Sequence, residues 1–132
     1  RPGVARDHHL AAGPAQGGVD GVRGDGHLVT SELFGPVLAI VRANDLEAAI
    51  AIVNDSPFGN AASIFTSDGK ASRRFTAEAR VGNVGINVGV VAPPADFGFG
   101  GRRGSFFGTI HSQGRYAVEF FTDIKSVSTR WL

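Results

Sequence analysis

Apolar residues between positions 38 and 88 fall into short unbroken runs separated by helical stripes. Residues 38–41 contain no polar side chain, which is typical of a strand buried on both faces. Asn44 and Glu47 are spaced as the N-cap and N3 residues of a capping box, so we expect a helix to begin there. Its apolar residues recur at helical spacing and define one face, formed by Leu46, Ala49, Ile50 and Val53.

The following residues repeat this pattern. Residues 61–66 are typical of a second buried strand, and residues 81–88 of a third strand that its glycines keep slim. Between them, Ser67 is expected to cap a helix over residues 68–80, whose apolar residues lie four apart at Ala71, Phe75 and Ala79. Strand, helix, strand, helix, strand at this spacing predicts an α/β fold with a parallel βαβαβ sheet and right-handed crossovers.

The two ends of the chain differ from this core. Residues 1–28 are rich in Gly, Ala, Arg, Asp and His and contain no aromatic residue, so we expect disorder. A non-native segment produced by a frameshift is a second interpretation of the same composition. The group Asp7, His8 and His9 is a candidate metal site, although histidines in such a segment are more often solvated. Residues 114–121 predict a short helix, and residues 123–132 predict a terminal strand that needs a partner sheet.

Composition excludes several classes of function. The chain has 132 residues, about the size of one domain, and its net charge of +1 favours neither nucleic acid nor an anionic membrane as a partner. It contains no apolar run of about 18 residues and no signal-peptide pattern, so we expect a cytoplasmic protein without a membrane segment. Because it has no cysteine, it has no disulfide, thiolate metal site or thiol nucleophile.

The most distinctive chemistry lies in residues 32–37, Glu-Leu-Phe-Gly-Pro-Val, directly before the first predicted core strand. Gly35 tolerates unusual φ angles and Pro36 fixes its own φ, so these two residues define a rigid turn. A carboxylate held at Glu32 can accept two hydrogen bonds from a sugar diol, and the ring of Phe34 can lie flat against another ring. The alternative interpretation is an acidic turn before a core strand, with no binding role.

Residues 32–37 resemble the Glu-x-Phe-Gly-Pro-Val motif of the aldehyde dehydrogenase family. The resemblance implies that Glu32 binds the nicotinamide ribose of NAD and that Phe34 packs beside the nicotinamide. Three further stretches resemble family motifs in the same order along the chain, at residues 54–59, 65–66 and 82–87. The resemblance therefore extends well beyond the first motif.

Residues 97–105, Phe-Gly-Phe-Gly-Gly-Arg-Arg-Gly-Ser, admit several interpretations. A dinucleotide-binding loop would need a third glycine where Arg103 stands, and an arginine-glycine RNA contact would be longer. A mobile polar loop fits the composition better than either. The stretch is similar to the family's Phe-Gly-Gly-x-Lys-x-Ser loop near the substrate entrance, with Arg103 replacing Lys. The residues that follow, up to Trp131, are similar to the methylmalonate-semialdehyde dehydrogenases, the CoA-acylating branch. His111 among them is a candidate base, but a single loop histidine is more often structural.

The resemblance spans about residues 29–132 and implies a C-terminal fragment, with residues 29–122 as an incomplete catalytic domain and residues 123–132 as an oligomerisation strand. The parent enzyme would be a homo-oligomer that oxidises malonate or methylmalonate semialdehyde with NAD and transfers the acyl group to CoA. The nucleophilic Cys and the NAD-binding domain of the family are missing from these residues. We therefore predict no catalytic residue, two cofactor-binding residues (Glu32 and Phe34), no tightly bound cofactor, and no turnover by the isolated chain.

Two other functions compete with this prediction. A non-catalytic interaction module would use its terminal strand to join the oligomer of a full-length aldehyde dehydrogenase. A nucleic-acid binder would use the arginine pairs 73–74 and 102–103, but the first pair is expected on the solvated face of a helix. Because a partial α/β domain leaves strand edges and helix-binding faces uncovered, we also expect poor solubility or self-association.

Overall fold

The computed structural model describes residues 18–108 and 112–132. In this part of the chain the strands, in order, are β1 (Gly18–Asp20), β2 (Leu38–Ile40), β3 (Phe58–Gly59), β4 (Ala61–Ile64), β5 (Asn83–Ile86) and β6 (Arg102–Arg103). The helices are α1 (His27–Thr30), α2 (Leu46–Asp55), α3 (Gly69–Glu78) and α4 (Gly114–Phe120). The α/β class predicted from the sequence is confirmed.

The core lies where α2 and α3 pack on β4 and on the chain leading into β5. Its buried side chains are between 4% and 8% exposed, and they are Ile50, Ile64, Phe75, Ala79 and Val81. Leu46, Val53 and Ala71 pack against this cluster from the two helices. The apolar stripes predicted for both helices are therefore confirmed, and burial of their side chains is the main force that holds the helices to the strands.

Aspartates, and not the residues predicted from the sequence, cap these two helices. The carboxylate of Asp45 accepts a hydrogen bond from the Ala48 amide at 2.8 Å, so the predicted Asn44–Glu47 capping box is wrong by one residue. The carboxylate of Asp68 accepts from the Lys70 amide at 2.7 Å, and it replaces Ser67 as the cap of α3. In both cases two polar residues precede the helix, and the second has the extended backbone that an N-cap requires.

The strands form three separate two-stranded sheets in the described part of the chain. β4 and β5 are parallel and are joined through α3, with Ala61 opposite Asn83 and Ile64 opposite Ile86. β2 does not join them, so the single three-stranded sheet predicted from the sequence is not formed. The reason is that β2 pairs in parallel with β1, while β3 pairs antiparallel with β6. The parallel arrangement is confirmed for β4 and β5 alone among the predicted pairs.

Residues 18–28 are more ordered than their composition predicts. β1 lies beside β2, and the Asp20 carboxylate accepts two hydrogen bonds from the Arg42 guanidinium, at 2.6 and 3.1 Å. This pair lowers the pKa of the Asp20 carboxyl, and the Gly21 amide contributes in the same direction. The expectation of disorder is therefore wrong for residues 18–28. Their backbone pairing with β2 and the Asp20–Arg42 ion pair hold this segment in place, although it has few apolar side chains to bury. Residues 1–17, with the candidate metal ligands Asp7, His8 and His9, lie outside the described residues.

The C-terminal part adds little to the core. No residue of α4 is buried, and residues 122–132 form no strand in this structure. Three apolar side chains of the final segment, Ile124, Val127 and Trp131, are 94%, 76% and 91% exposed. The predicted terminal strand thus has no partner within the described chain, and its pairing with another subunit stays a prediction. Nowhere in residues 18–108 and 112–132 is there a helix long and apolar enough to cross a bilayer.

Candidate functional site

Glu32 and Phe34 lie on an exposed connection between α1 and β2. The connection begins at Ser31, whose amide donates to the carbonyl of His27 at 3.1 Å and so ends α1. It closes at Gly35, whose carbonyl accepts a hydrogen bond from the Val37 amide at 2.8 Å. A bond between residues two apart makes a γ-turn centred on the proline, as its fixed φ allows. The predicted Gly-Pro turn is therefore present.

Both predicted binding side chains point into open space. The ring of Phe34 is 96% exposed, although a phenylalanine gains most when it is buried. Glu32 is also exposed, and its carboxylate has no hydrogen bond or ion pair with any residue from 18–108 or 112–132. The connection before the turn thus presents an unpaired carboxylate and an exposed aromatic ring two residues apart.

β2, the strand that follows this turn, is held by β1 along one edge. β2 pairs with β1, and the Asp20–Arg42 ion pair joins the ends of the two strands. Because both side chains are at least half exposed, the pair fixes register more than it adds stability. The carboxylate and the ring are therefore attached to a strand whose position is set by pairing and not by burial.

A second constellation forms where the glycine-rich loop meets the turn after α2. The Gly59 amide donates to Ser105 Oγ at 3.0 Å, and the Gly104 amide donates to the carbonyl of Pro57 at 3.0 Å. Asn83 Nδ2 donates to the carbonyl of Gly100 at 2.7 Å. Residues 97–105 are therefore not the mobile loop that composition favoured. They contact two separate stretches, residues 57–59 and Asn83, which the sequence had shown only as parts of successive motifs.

Gly82 shows how closely this loop approaches the core. A Cβ atom on Gly82 would lie 2.2 Å from the carbonyl oxygen of Gly100 and 2.6 Å from the Cα of Gly101. No side chain fits between two backbones at that distance, so glycine is required here for packing. The sequence predicted only that glycines would keep the third strand slim, and the structure identifies the neighbour that demands it.

Arg103 is the main link between the loop and α2. Its guanidinium donates to the carbonyls of Val53 and Asn54, both at 3.2 Å, and to that of Phe58 at 2.6 and 3.1 Å. These carbonyls belong to the last turn of α2 and the residues after it, where backbone acceptors lack helical partners and a cation is favourable. The φ of Arg103 is +54°, an unfavourable value for a residue with a side chain, so the hydrogen bonds offset a local strain.

Asn54 and Asn87 are two further bridging residues that the sequence named only as motif positions. Asn54 Nδ2 donates to the carbonyl of Glu78 at 2.9 Å and its Oδ1 accepts from the Arg80 amide at 2.7 Å, which joins the ends of α2 and α3. Asn87 makes the same two kinds of bond to the backbone of Thr66, at 3.0 and 2.8 Å. An asparagine directly after a helical or strand pattern was the available signal for both roles.

Other candidate groups do not assemble into a site. His111 lies outside the described residues, so its candidate role as a base stays a prediction. In the described ranges, no three side chains of His, Cys, Asp or Glu come together in a way that would hold a metal ion. Arg74 pairs with Glu78 and Glu47, which raises the pKa of its guanidinium and places it in a helix-surface network, as the solvated-face interpretation predicted.

Comparison with known sequences identifies one family. The sequence model of the aldehyde dehydrogenase family matches residues 19–127. The chain is 52% identical over 100 residues to malonate-semialdehyde dehydrogenase 2 of Shouchella clausii. The aligned region covers 76% of this chain and 21% of that protein. Malonate-semialdehyde dehydrogenase of Pseudomonas aeruginosa is 47% identical over 100 residues, with 76% and 20% covered. The chain therefore spans about a fifth of the length of these relatives.

Solved structures give the same result. Methylmalonate-semialdehyde dehydrogenase from Oceanimonas doudoroffii superposes with a TM-score of 0.82 at 39% identity, over 87% of this chain and 24% of that chain. An aldehyde dehydrogenase of Mycobacterium tuberculosis in complex with NAD+ superposes with a TM-score of 0.72 at 36% identity, over 80% and 21%. The family model matches from residue 19, so the match includes Val19 and Asp20 of β1, which composition had assigned to a disordered segment.

Proposed function

The chain belongs to the aldehyde dehydrogenase family, and we propose that it is the C-terminal part of an NAD-dependent, CoA-acylating malonate- or methylmalonate-semialdehyde dehydrogenase. The observation that carries the proposal is the identity of 52% to a malonate-semialdehyde dehydrogenase, of which the chain covers 21%. A relative from Drosophila pseudoobscura pseudoobscura, 45% identical over 102 residues, is named as an acylating methylmalonate-semialdehyde/malonate-semialdehyde dehydrogenase. These names support the substrate class and the acyl transfer for the parent enzyme.

In this proposal Glu32 and Phe34 serve the nicotinamide end of NAD, which accepts a hydride from the substrate when it is bound. The free carboxylate of Glu32 accepts hydrogen bonds from the two ribose hydroxyls, and this bidentate contact fixes the sugar. The exposed ring of Phe34 packs against the nicotinamide and keeps water from that side. The groups fit the cofactor because neither has a competing partner among the described residues.

The isolated chain contributes positioning and no reaction chemistry. It contains no cysteine, so the covalent thiohemiacetal step has no nucleophile. We expect the purified chain to give no reduction of NAD with malonate semialdehyde, followed by nicotinamide absorbance. Measurable turnover, proportional to chain concentration and retained through a second purification step, would overturn the proposal for this chain.

A chimaera tests the parent function directly. The segment of the Pseudomonas aeruginosa enzyme that aligns with this chain over 100 residues is replaced by the corresponding residues of this chain. If this chain carries the same part of the same kind of enzyme, the chimaera is soluble and turns over malonate semialdehyde with NAD and CoA. The matched control is the Pseudomonas enzyme itself, expressed and purified in parallel. A folded chimaera that binds NAD but accepts no semialdehyde would contradict the assigned substrate class.

A second function is favoured by the exposed apolar C-terminal part. Residues 114–132 contribute no side chain to the buried core. Three large apolar side chains in this part, Phe121, Ile124 and Trp131, are each at least 75% exposed. In this alternative function the chain is a non-catalytic module, and its terminal segment joins the oligomer of a full-length aldehyde dehydrogenase. Co-expression of the tagged chain with the untagged Pseudomonas enzyme tests this alternative. Co-elution of both chains in one oligomer favours it, and separate elution counts against it.

A further inference from the structure

A cavity of about 480 Å³, wide open to solvent, lies beside the loop that contains β6. Its wall is formed by Asn54, Arg80, Gly101, Arg102, Arg103, Phe106 and Gly108. Three of these seven residues carry guanidinium groups, and none carries a carboxylate. The arginines come from two stretches that are more than twenty residues apart, so the fold and not a simple run of basic sequence brings them together.

Two of the three arginines keep most of their donors available. Arg102 uses only Nε, which donates to the carbonyl of Val81 at 3.2 Å, and its two terminal nitrogens have no partner in the described chain. The guanidinium of Arg80 has no hydrogen bond or ion pair with residues 18–108 or 112–132. Arg103 spends its donors on backbone carbonyls, which carry no full charge. The positive charge of the wall is therefore not compensated by any lining residue.

The same wall is held in place by backbone contacts. The Arg80 amide donates to Asn54 Oδ1 at 2.7 Å, and the four bonds of Arg103 fix the loop on the end of α2 and on Phe58. The ring of Phe106 packs on Gly101, where an added Cβ would come within 2.8 Å of the Phe106 side chain. The backbone of this wall is therefore fixed, so binding of an anion would order only the side chains of Arg80 and Arg102.

We propose that this cavity binds the phosphate group of a small phosphorylated molecule. Guanidinium groups match the geometry of phosphate oxygens and bind them through paired hydrogen bonds. A volume of about 480 Å³ is within the range of small-molecule sites and far exceeds what one carboxylate side chain would fill. The proposal does not depend on the dehydrogenase function of the parent enzyme.

The test is a titration of the full chain at low ionic strength, followed by ³¹P NMR, first with inorganic phosphate and then with adenosine monophosphate. The cavity variant is Arg80→Gln/Arg102→Gln, which removes two charges and leaves the Arg103 bonds intact. The control variant is Arg73→Gln/Arg130→Gln, which removes two exposed arginines that do not line the cavity. Far-UV circular dichroism of all three proteins establishes that each is folded.

We expect saturable binding that the cavity variant weakens at least tenfold and the control variant changes less than twofold. Tighter binding of adenosine monophosphate than of inorganic phosphate would show that the ring is bound as well, and equal binding would restrict the site to the phosphate. No saturable binding to the native chain would overturn the proposal. An equal loss in both variants would also overturn it, because the interaction would then follow net charge and not this cavity.

Discussion

The bridge that Asn54 makes between the two core helices gives a quantitative prediction. In Asn54→Ala the Glu78 carbonyl and the Arg80 amide each lose a side-chain partner, at 2.9 and 2.7 Å respectively. A net contribution of about 1 kcal/mol for each hydrogen bond gives a loss of about 2 kcal/mol. Asn54 lies in the last turn of α2, so helix propensity also matters at this position. Alanine is a better helix former than asparagine by about 0.5 kcal/mol, which offsets part of the loss. The expected net loss of unfolding free energy is therefore about 1.5 kcal/mol.

Urea unfolding followed by circular dichroism measures this loss, and the midpoint should fall without a change in slope. The matched control is Asp55→Ala, the next residue in the same helical turn, whose carboxylate is exposed and has no partner within the described residues. That change removes a negative charge from a helix C-terminus, so stability should stay equal or rise slightly. If Asn54→Ala is as stable as Asp55→Ala, the bridge contributes nothing and the reasoning is wrong.

Three further predictions concern the packing around the site. Arg103→Lys should lower the unfolding free energy by about 1–2 kcal/mol, because one ammonium cannot reach the carbonyls that the planar guanidinium joins; an unchanged urea midpoint would refute this. Gly82→Ala should prevent the loop from docking on the core, because its Cβ would overlap the Gly100 carbonyl, and faster limited proteolysis within residues 97–105 would report the release. Arg42 lowers the pKa of the Asp20 carboxyl below its ordinary value of 3.8, so the pair stabilises the fold above that pH and is lost as the pH falls through the lowered pKa. Asp20→Asn should therefore make the acid limb of the stability–pH curve shallower, and identical curves for both proteins would contradict the ion pair.

Periodic burial was the part of the fold that the sequence predicted well. The stripes around Ile50 and Phe75 identified both core helices and their buried faces, since a helix must hide its apolar side. Each predicted N-cap was wrong by one residue, because two polar residues precede each helix and either could cap it. Backbone geometry, and not residue type, selects Asp45 for α2 and Asp68 for α3. Local pattern fixes which segment is helical more firmly than where it begins.

Pairing and tertiary contacts could not be predicted in the same way. β1 is three residues long and Val19 is its one residue with an apolar side chain, so no sequence pattern marks it as a strand. Its pairing with β2 identifies it. Arg103 was expected to keep the charge of a family lysine, but its position over the end of α2 depends on a left-handed backbone that no pattern announces. The turn predicted at Gly35 and Pro36 is present, and the binding roles of Glu32 and Phe34 stay predictions.

We propose above that Glu32 binds the nicotinamide ribose of NAD in the parent enzyme. The most direct measurement is the KM for NAD of the chimaera with the Pseudomonas enzyme, with Glu32 and with Glu32→Gln. Loss of a charge-assisted hydrogen bond of about 1.5 kcal/mol should raise the KM for NAD about tenfold and leave the KM for CoA unchanged. The control Asp55→Asn, which neutralises an exposed carboxylate elsewhere, should change neither constant. Equal values of the KM for NAD in the Glu32 and Glu32→Gln chimaeras would contradict the claim.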